Sequence, residues 1–283
     1  PPAWHRPLSR SMNPSPLGQL LFDFIYILVL AGIFFTATWV VAKVLNNWSI
    51  VDVAWSYGFA LVGLWILTAF PWNARDPFLW LAAATTVWSL RLGTHLAIRV
   101  LGHLDREDGR YLKMRAEWGK WTGLKMYRFY LYQAVALALL LLPLISAAGT
   151  TPKEAGHMAA WHWAGLFIFA LGMLGEGLAD AQLAAFKRHP DNRGKVCATG
   201  LWAWTRHPNY FCEWLIWIGF ALLAFNQSYW GIPGFACAGV MYHLLTQVTG
   251  IPLTEAQLLA SKGSAYADYQ SRVPAFWPRK PTA

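Results

Sequence analysis

Arg91, His95 and Arg99 recur every four residues inside an otherwise apolar stretch, which stacks all three on one face of a helix. Like charges on one face repel unless an anion lies between them, so the spacing points to a phosphate or to acids from a neighbouring element. Glu176 and Asp180 repeat the spacing with acids near the end of another apolar stretch. They would either pair with Arg91 or Arg99, or accept hydrogen bonds from an amide or from ribose hydroxyls. Snorkelling toward a polar surface suits Arg99 well and Arg91 poorly. A further segment, Asp52-Val53-Ala54-Trp55-Ser56-Tyr57, opens an apolar run with an acid and a phenol, where Asp52 serves either as a helix cap or in the chemistry. Asp23 has no obvious local partner.

The connections add a second kind of group. Asp105-Arg106-Glu107-Asp108-Gly109-Arg110-Tyr111, followed by Lys113 and Arg115, mixes both signs densely. Beside Lys187, Lys195 and Arg206 such a loop could hold a pyrophosphate, since arginine binds phosphate through two parallel N–H groups and lysine through a point charge. Its alternative is a solvated surface loop that neutralises itself. Cys197, Cys212 and Cys237 are odd in number and have neither CxxC nor Cys/His ligand spacing, so neither a disulfide framework nor a zinc site is indicated, and no metal is expected. Gly172, Gly175 and Gly177 resemble a dinucleotide fingerprint only superficially, because no strand precedes them; close helix packing is the better reading.

The elements that position these groups follow from composition. Of 283 residues 56% are hydrophobic and only 13% charged, too few for the charged skin of a soluble domain. The net charge of +9 therefore reads as topology and not as nucleic-acid binding. Apolar runs of spanning length fall at Leu17 to Val44, Ile50 to Phe70, Phe78 to Leu101, Tyr130 to Ala148, Trp161 to Phe186, Tyr210 to Phe225 and Trp230 to Gly250. Seven runs of this kind predict an all-α, polytopic integral membrane protein with seven transmembrane helices, since hydrocarbon leaves the backbone no water to bond. The first run is too long for a cleaved signal and reads as a mature span. The connection 102–128 carries seven Lys/Arg, 187–207 carries five and the tail after Gly250 four, whereas the other connections carry almost none. This bias puts the basic loops and the C-terminus in the cytoplasm, with Arg6 and Arg10 arguing mildly against it. The abundant tryptophan and tyrosine fit interfacial belts. Residues 1–16 read as an extramembrane segment and 17–283 as a single domain, without repeats or a linker.

The segment Gly200-Leu201-Trp202-Ala203-Trp204-Thr205-Arg206-His207-Pro208-Asn209-Tyr210-Phe211-Cys212-Glu213 resembles a signature of the membrane steroid 5α-reductase superfamily, which also includes sterol reductases and, more distantly, isoprenylcysteine carboxyl methyltransferases. Similar too are Glu176 with Asp180 and Gln182, Trp88-Ser89-Leu90-Arg91, Glu107-Asp108-Gly109-Arg110-Tyr111 and Tyr266-Ala267-Asp268-Tyr269. The pattern looks closest to the bacterial branch, which implies the bacterial inner membrane. The resemblance implies an enzyme that binds NADPH from the cytosolic side and passes hydride to the activated C=C bond of a hydrophobic small molecule in the bilayer, acting as a monomer. In that family the matched Asn209 and Glu213 lie at the nicotinamide end. Asp180, Lys187, Lys195, Arg91, Arg99, Arg110 and Arg115 would lie along the adenosine and phosphate portions. Asp108, Tyr111, Glu176, Arg206, His207 and Tyr210 complete the expected cofactor set.

The steroid enzymes place a tyrosine that polarises the substrate ketone where Trp88 stands here, and their glutamine-glutamate pair gives way to the Asp52 segment. Tyr57, His95 or a protonated Asp52 are the candidate replacements, so the expected catalytic residues are Asp52, Tyr57, Trp88 and His95. Two rivals stand beside the reductase. An S-adenosylmethionine-dependent methyltransferase shares the Arg-His-Pro segment but usually carries consecutive glutamates where Glu255 is followed by Ala256. A lipid transporter or receptor would use the buried charges as a path, without a need for two elaborate basic loops. The reductase reading requires the charges of the third and fifth spans and both basic connections to converge on one cytosol-facing pocket.

Overall fold

A computed structural model describes residues 15–69, 74–150, 157–225 and 231–280. Arg6, Arg10, Lys153, the start of the last expected span at Trp230 and residues 1–14 of the expected N-terminal segment lie outside them. Among the described residues all regular structure is helical. Helix α1 spans Pro16–Val44, α2 Ile50–Ala69, α3 Pro77–Leu101, α4 Gly109–Trp118, α5 Thr122–Leu140 and α6 Leu142–Thr150. Then follow α7 Ala160–Arg188, α8 Pro208–Ala224, α9 Ile232–His243, which runs into a π turn over Leu244–Val248, α10 Ile251–Lys262 and α11 Ser264–Arg272. Several starts are written locally. Ser15 accepts from Gly18 N at 3.1 Å, Asp76 accepts from Phe78 N at 2.9 Å, and proline follows each cap.

Among the described residues the expected spans lie in helical stretches, of which four are individually long and apolar enough to cross a bilayer: Leu17–Val44, Ile50–Ala69, Gly109–Ala147 and Ala160–Arg188. The others fall short for visible reasons: α8 has 17 residues, α9 has 12 before its π turn, and α3 is interrupted by Arg91, His95 and Arg99. The fourth expected span differs most. Its helix starts at Thr122, eight residues before the expected Tyr130, and breaks at Leu141, because Pro143 cannot donate the bond that would continue it. Outward faces are apolar, as lipid requires. On α7 Trp163, Phe167, Leu171, Leu174 and Leu178 form an exposed stripe, with Leu174 74% exposed.

The interior is aromatic where α2, α3 and α8 meet. Phe59, Trp88, Trp217 and Phe220 pack edge to face, with centroids 5.1 Å apart for Phe59 and Trp88 and 5.5 Å for Trp88 and Trp217. Trp88 and Trp217 are thus core residues, at most 1% exposed. Helix α2 is opened in the same region: Ser89 Oγ donates to the Ser56 carbonyl and accepts from Ala60 N at 2.7 Å, so a hydroxyl from α3 stands inside the backbone ladder of α2. Helices α7 and α8 approach closely through small residues. A Cβ on Gly172 would stand 2.8 Å from Cys212 O, and one on Gly175 2.6 Å from Cys212 Sγ. The expected packing role fits Gly172 and Gly175 but not Gly177, which faces open space.

Candidate functional site

The polar face of α3 forms a column that binds three other elements. At its deep end Trp88 Nε1 donates to Glu213 Oε2 of α8 at 2.9 Å. One turn on, Arg91 reaches Glu176 at 2.7 Å and Asp180 at 3.0 Å on α7. The i, i+4 spacing that stacks the acids on α7 thus lets a single guanidinium engage both. Near the outer end Arg99, about half exposed, lies 4.0 Å from Asp52 and 3.8 Å from Asp108. His95 sits between these levels with its side chain exposed.

The basic loop after α3 is docked on the start of α2. Asp52 accepts from Arg110 at 2.7 Å and from the Tyr111 hydroxyl at 2.7 Å, with Tyr111 almost fully buried. Asp108 caps α4, receives Arg110 Nε at 3.0 Å and donates its own N–H to Ser49. Glu107 accepts from Trp48 N at 2.7 Å and from Arg115 at 3.0 Å. The self-neutralising alternative therefore describes how this loop is held, although it is anchored and not merely solvated.

A third cluster forms on the tail side of α8. Arg206 donates to Glu255 at 2.6 Å and to the carbonyls of Gln270 and Val273. His207 Nε2 faces Glu255 at 3.1 Å while its ring stacks on Tyr210 with an interplanar angle of 5°, and Gln270 donates to the other Glu255 oxygen at 2.8 Å. Burial pushes the Glu255 carboxyl up, but the hydrogen bonds from His207 and Arg206 and the charge of Arg206 outweigh it and hold the group at about 2. The strap after α11 completes the clamp: Thr205 donates to Ala275 O at 2.9 Å, and backbone bonds join Arg206 to Pro274 and Arg279 to Trp204.

The expected convergence is therefore partial. Arg91, Arg99, Glu176, Asp180 and Glu213 share the α3 column, and Arg110 and Tyr111 meet it through Asp52. Arg115 belongs with Glu107, and Arg206 and His207 belong with Glu255. Lys187 and Lys195 are exposed, and Asn209 is partly exposed in the first turn of α8. Among the four expected catalytic residues, the Trp88 N–H is committed to Glu213 and both Asp52 oxygens accept bonds. Tyr57 lies at an exposed edge with its hydroxyl 3.0 Å from Thr94 Oγ1, and its ring occupies the space a Cβ on Gly93 would need, 2.7 Å away. Sequence reasoning missed Trp217, whose Nε1 donates to Glu213 Oε1 at 2.9 Å; its position one helical turn after Glu213 was the available signal. It also missed Glu255 as the partner of Arg206, for which no local signal exists.

A profile of the family described as "Protein of unknown function (DUF1295)" matches residues 38–273. The chain is 30% identical to "Uncharacterized protein C594.04c" of Schizosaccharomyces pombe over 94% of its own length and 80% of the relative. It is 35% identical over 78 residues to "Steroid 5-alpha-reductase DET2" of Gossypium hirsutum, and 38% identical over 66 residues to "Probable O-methyltransferase ustE" of Ustilaginoidea virens. These two matches cover 30% and 23% of the respective relatives. The long match is fungal, and the bacterial branch expected from the motifs is not shown by it.

Proposed function

The chain belongs to the DUF1295 family of the steroid 5α-reductase-like superfamily, and from that premise we propose that it is a seven-span, monomeric membrane reductase using NADPH from the cytosol on an enone-bearing lipid. The observation that carries this reading is the α3 column, which sets an arginine, two acids of α7 and a glutamate of α8 along one face of a membrane helix. Charges at that depth are costly and mark a site. In this reading exposed Lys187 and Lys195 and half-exposed Arg99 would offer cations to the phosphates, and Asn209 and Glu213, one turn apart on α8, would serve the nicotinamide end. Bound NADPH would supply the hydride for the β-carbon of the enone.

The chain's own residues have two tasks in this mechanism. One is to stabilise the negative charge that gathers on the carbonyl oxygen, which calls for an oriented donor. Tyr57 suits this role because its ring is seated on Gly93 and its hydroxyl is oriented by Thr94. The other is to exclude water, which the aromatic floor around Trp88 performs. Anaerobic NADPH oxidation by the purified protein against a panel of enones and sterols tests the proposal, and Tyr57→Phe should lower kcat by about a hundredfold, the usual scale for a lost oxyanion donor. Full turnover in that variant removes Tyr57 from the mechanism.

The partial similarity to a probable O-methyltransferase favours one second reading, an S-adenosylmethionine-dependent enzyme. Thermal melting with each cofactor separates the two, because a ligand that binds only the native state stabilises it. Stabilisation by S-adenosylmethionine and not by NADPH would replace the reductase reading.

A further inference from the structure

Beyond Glu117 the chain carries no acid until Glu154, yet Lys120, Lys125 and Arg128 lie in that interval, at the elbow where α4 turns into α5. Helix α1 brings a fourth cation to the same place. Trp39 Nε1 donates to Gly123 O at 3.1 Å and its ring packs edge to face on Tyr127 at 5.2 Å, which carries Lys43, one turn further along α1, to the elbow. Each cation rests on an aromatic side chain: Lys43 Nζ stands 5.1 Å from the Trp39 ring centre, Lys120 Nζ 5.6 Å from Trp121 and Lys125 Nζ 5.7 Å from Trp118, while Arg128 donates to the Tyr132 hydroxyl at 3.4 Å. Among the described residues none of the four has an acid within ion-pair distance, whereas Lys113 has Glu117 at 3.9 Å and Arg115 has Glu107 at 3.0 Å. A ring orients an ammonium without cancelling its charge, so the lysine N–H donors stay open to an anion.

The same elbow marks where apolar surface begins. Both α1 and the stretch Gly109–Ala147 are long and apolar enough to cross a bilayer, and the end of α1 lies beside the start of α5. Trp121 is 56%, Leu124 57% and Val44 78% exposed, and Arg128 and Tyr132 continue the α5 stripe from Leu124 in four-residue steps. Cations at the edge of an exposed apolar stripe meet phosphate and hydrocarbon together, which is the chemistry of a phospholipid and not of a soluble anion. We propose that the α4–α5 elbow and the end of α1 form a binding surface for the headgroups of anionic glycerophospholipids, with Lys43, Lys120, Lys125 and Arg128 as the counter-charge and Trp121, Leu124 and Val44 against the acyl chains. The surface does not depend on the reductase reading.

The full chain in neutral detergent is offered equal amounts of phosphatidylglycerol and phosphatidylcholine, and bound lipid is read by native mass spectrometry. Wild type should favour phosphatidylglycerol. Lys43→Gln should lower that preference by about fivefold, the scale of one cation at an anionic membrane surface, and Lys43→Arg should keep it. Changing all four cations to glutamine should abolish it. Because Lys43→Gln leaves the Trp39 contacts in place, it should melt like wild type without lipid and lose only part of the stabilisation that phosphatidylglycerol gives. A control that removes four cations elsewhere, with Lys262, Arg272, Arg279 and Lys280 changed to glutamine, should retain the preference; an equal loss in both quadruple variants would reduce the effect to net charge and overturn the surface. Equal binding of the two lipids by wild type would overturn it as well, and an undiminished preference in Lys43→Gln would overturn the part assigned to α1. A preference erased by excess inorganic phosphate would assign the cations to a soluble anion instead of a lipid.

Discussion

The α3 column and the tail clamp both join arginine to glutamate, but they are built on different principles. In the column Arg91 serves two acids on one helix, and each partner comes from a side chain on another span. In the clamp Arg206 has Glu255 and two backbone carbonyls, and Glu255 has three further neighbours in His207, Gln270 and Tyr266. A buried ion that loses its counter-charge is left uncompensated, whereas one held by several further groups keeps the remainder. The contrast teaches that the interior has few partners per charge and the clamp has many.

Substitutions can break or sharpen that contrast. Arg91→Leu should have the largest effect, destabilising by roughly 3–5 kcal/mol because Glu176 and Asp180 are left buried without a cation; thermal melting in detergent measures it, and adding Glu176→Gln with Asp180→Asn should recover much of the loss. Gly172→Val should follow at about 1–3 kcal/mol, since its side chain meets Cys212 O and Ile216 across the α7–α8 contact. Glu255→Gln should cost less, about 1–2 kcal/mol, and should expose the tail to limited proteolysis before the spans melt. The pH dependence has a definite sign. The Glu255 carboxyl is lowered from 4.5 to about 2, so its contribution is present above pH 4.5 and is lost as pH falls toward 2. Glu255→Gln should flatten that acid limb of the melting profile. Ser89→Ala should be smallest, below about 1 kcal/mol, because α2 can close its own Ser56 to Ala60 bond once the hydroxyl is gone. An Arg91→Leu protein no less stable than Glu255→Gln would abolish the distinction between the two regions.

The helical membrane character and the pairing potential of Arg91 with Glu176 and Asp180 were legible because they depend on local hydropathy and on spacing along one helix. The break at Leu141 was also written, in Pro143, but was hidden by the continuous apolar run from Tyr130. The commitments of Arg206, Arg110 and Asp52 were not legible. Arg206 meets Glu255 across 49 residues and Val273 across 67, and a sequence motif reports that an arginine is required without reporting which acid will claim it. Trp88 shows the same limit. Its type disagreed with the resemblance, and only the three-dimensional arrangement reveals that its N–H is directed at Glu213.

The same long separation has a consequence for biogenesis. Every strong partner of Arg206 emerges from the ribosome 49 or more residues after the arginine itself, so the signature loop waits in water, unlatched, while the last helices are still being made. The order of synthesis places the strap last, so the helices before it can be in place before this face of the bundle acquires a fixed shape.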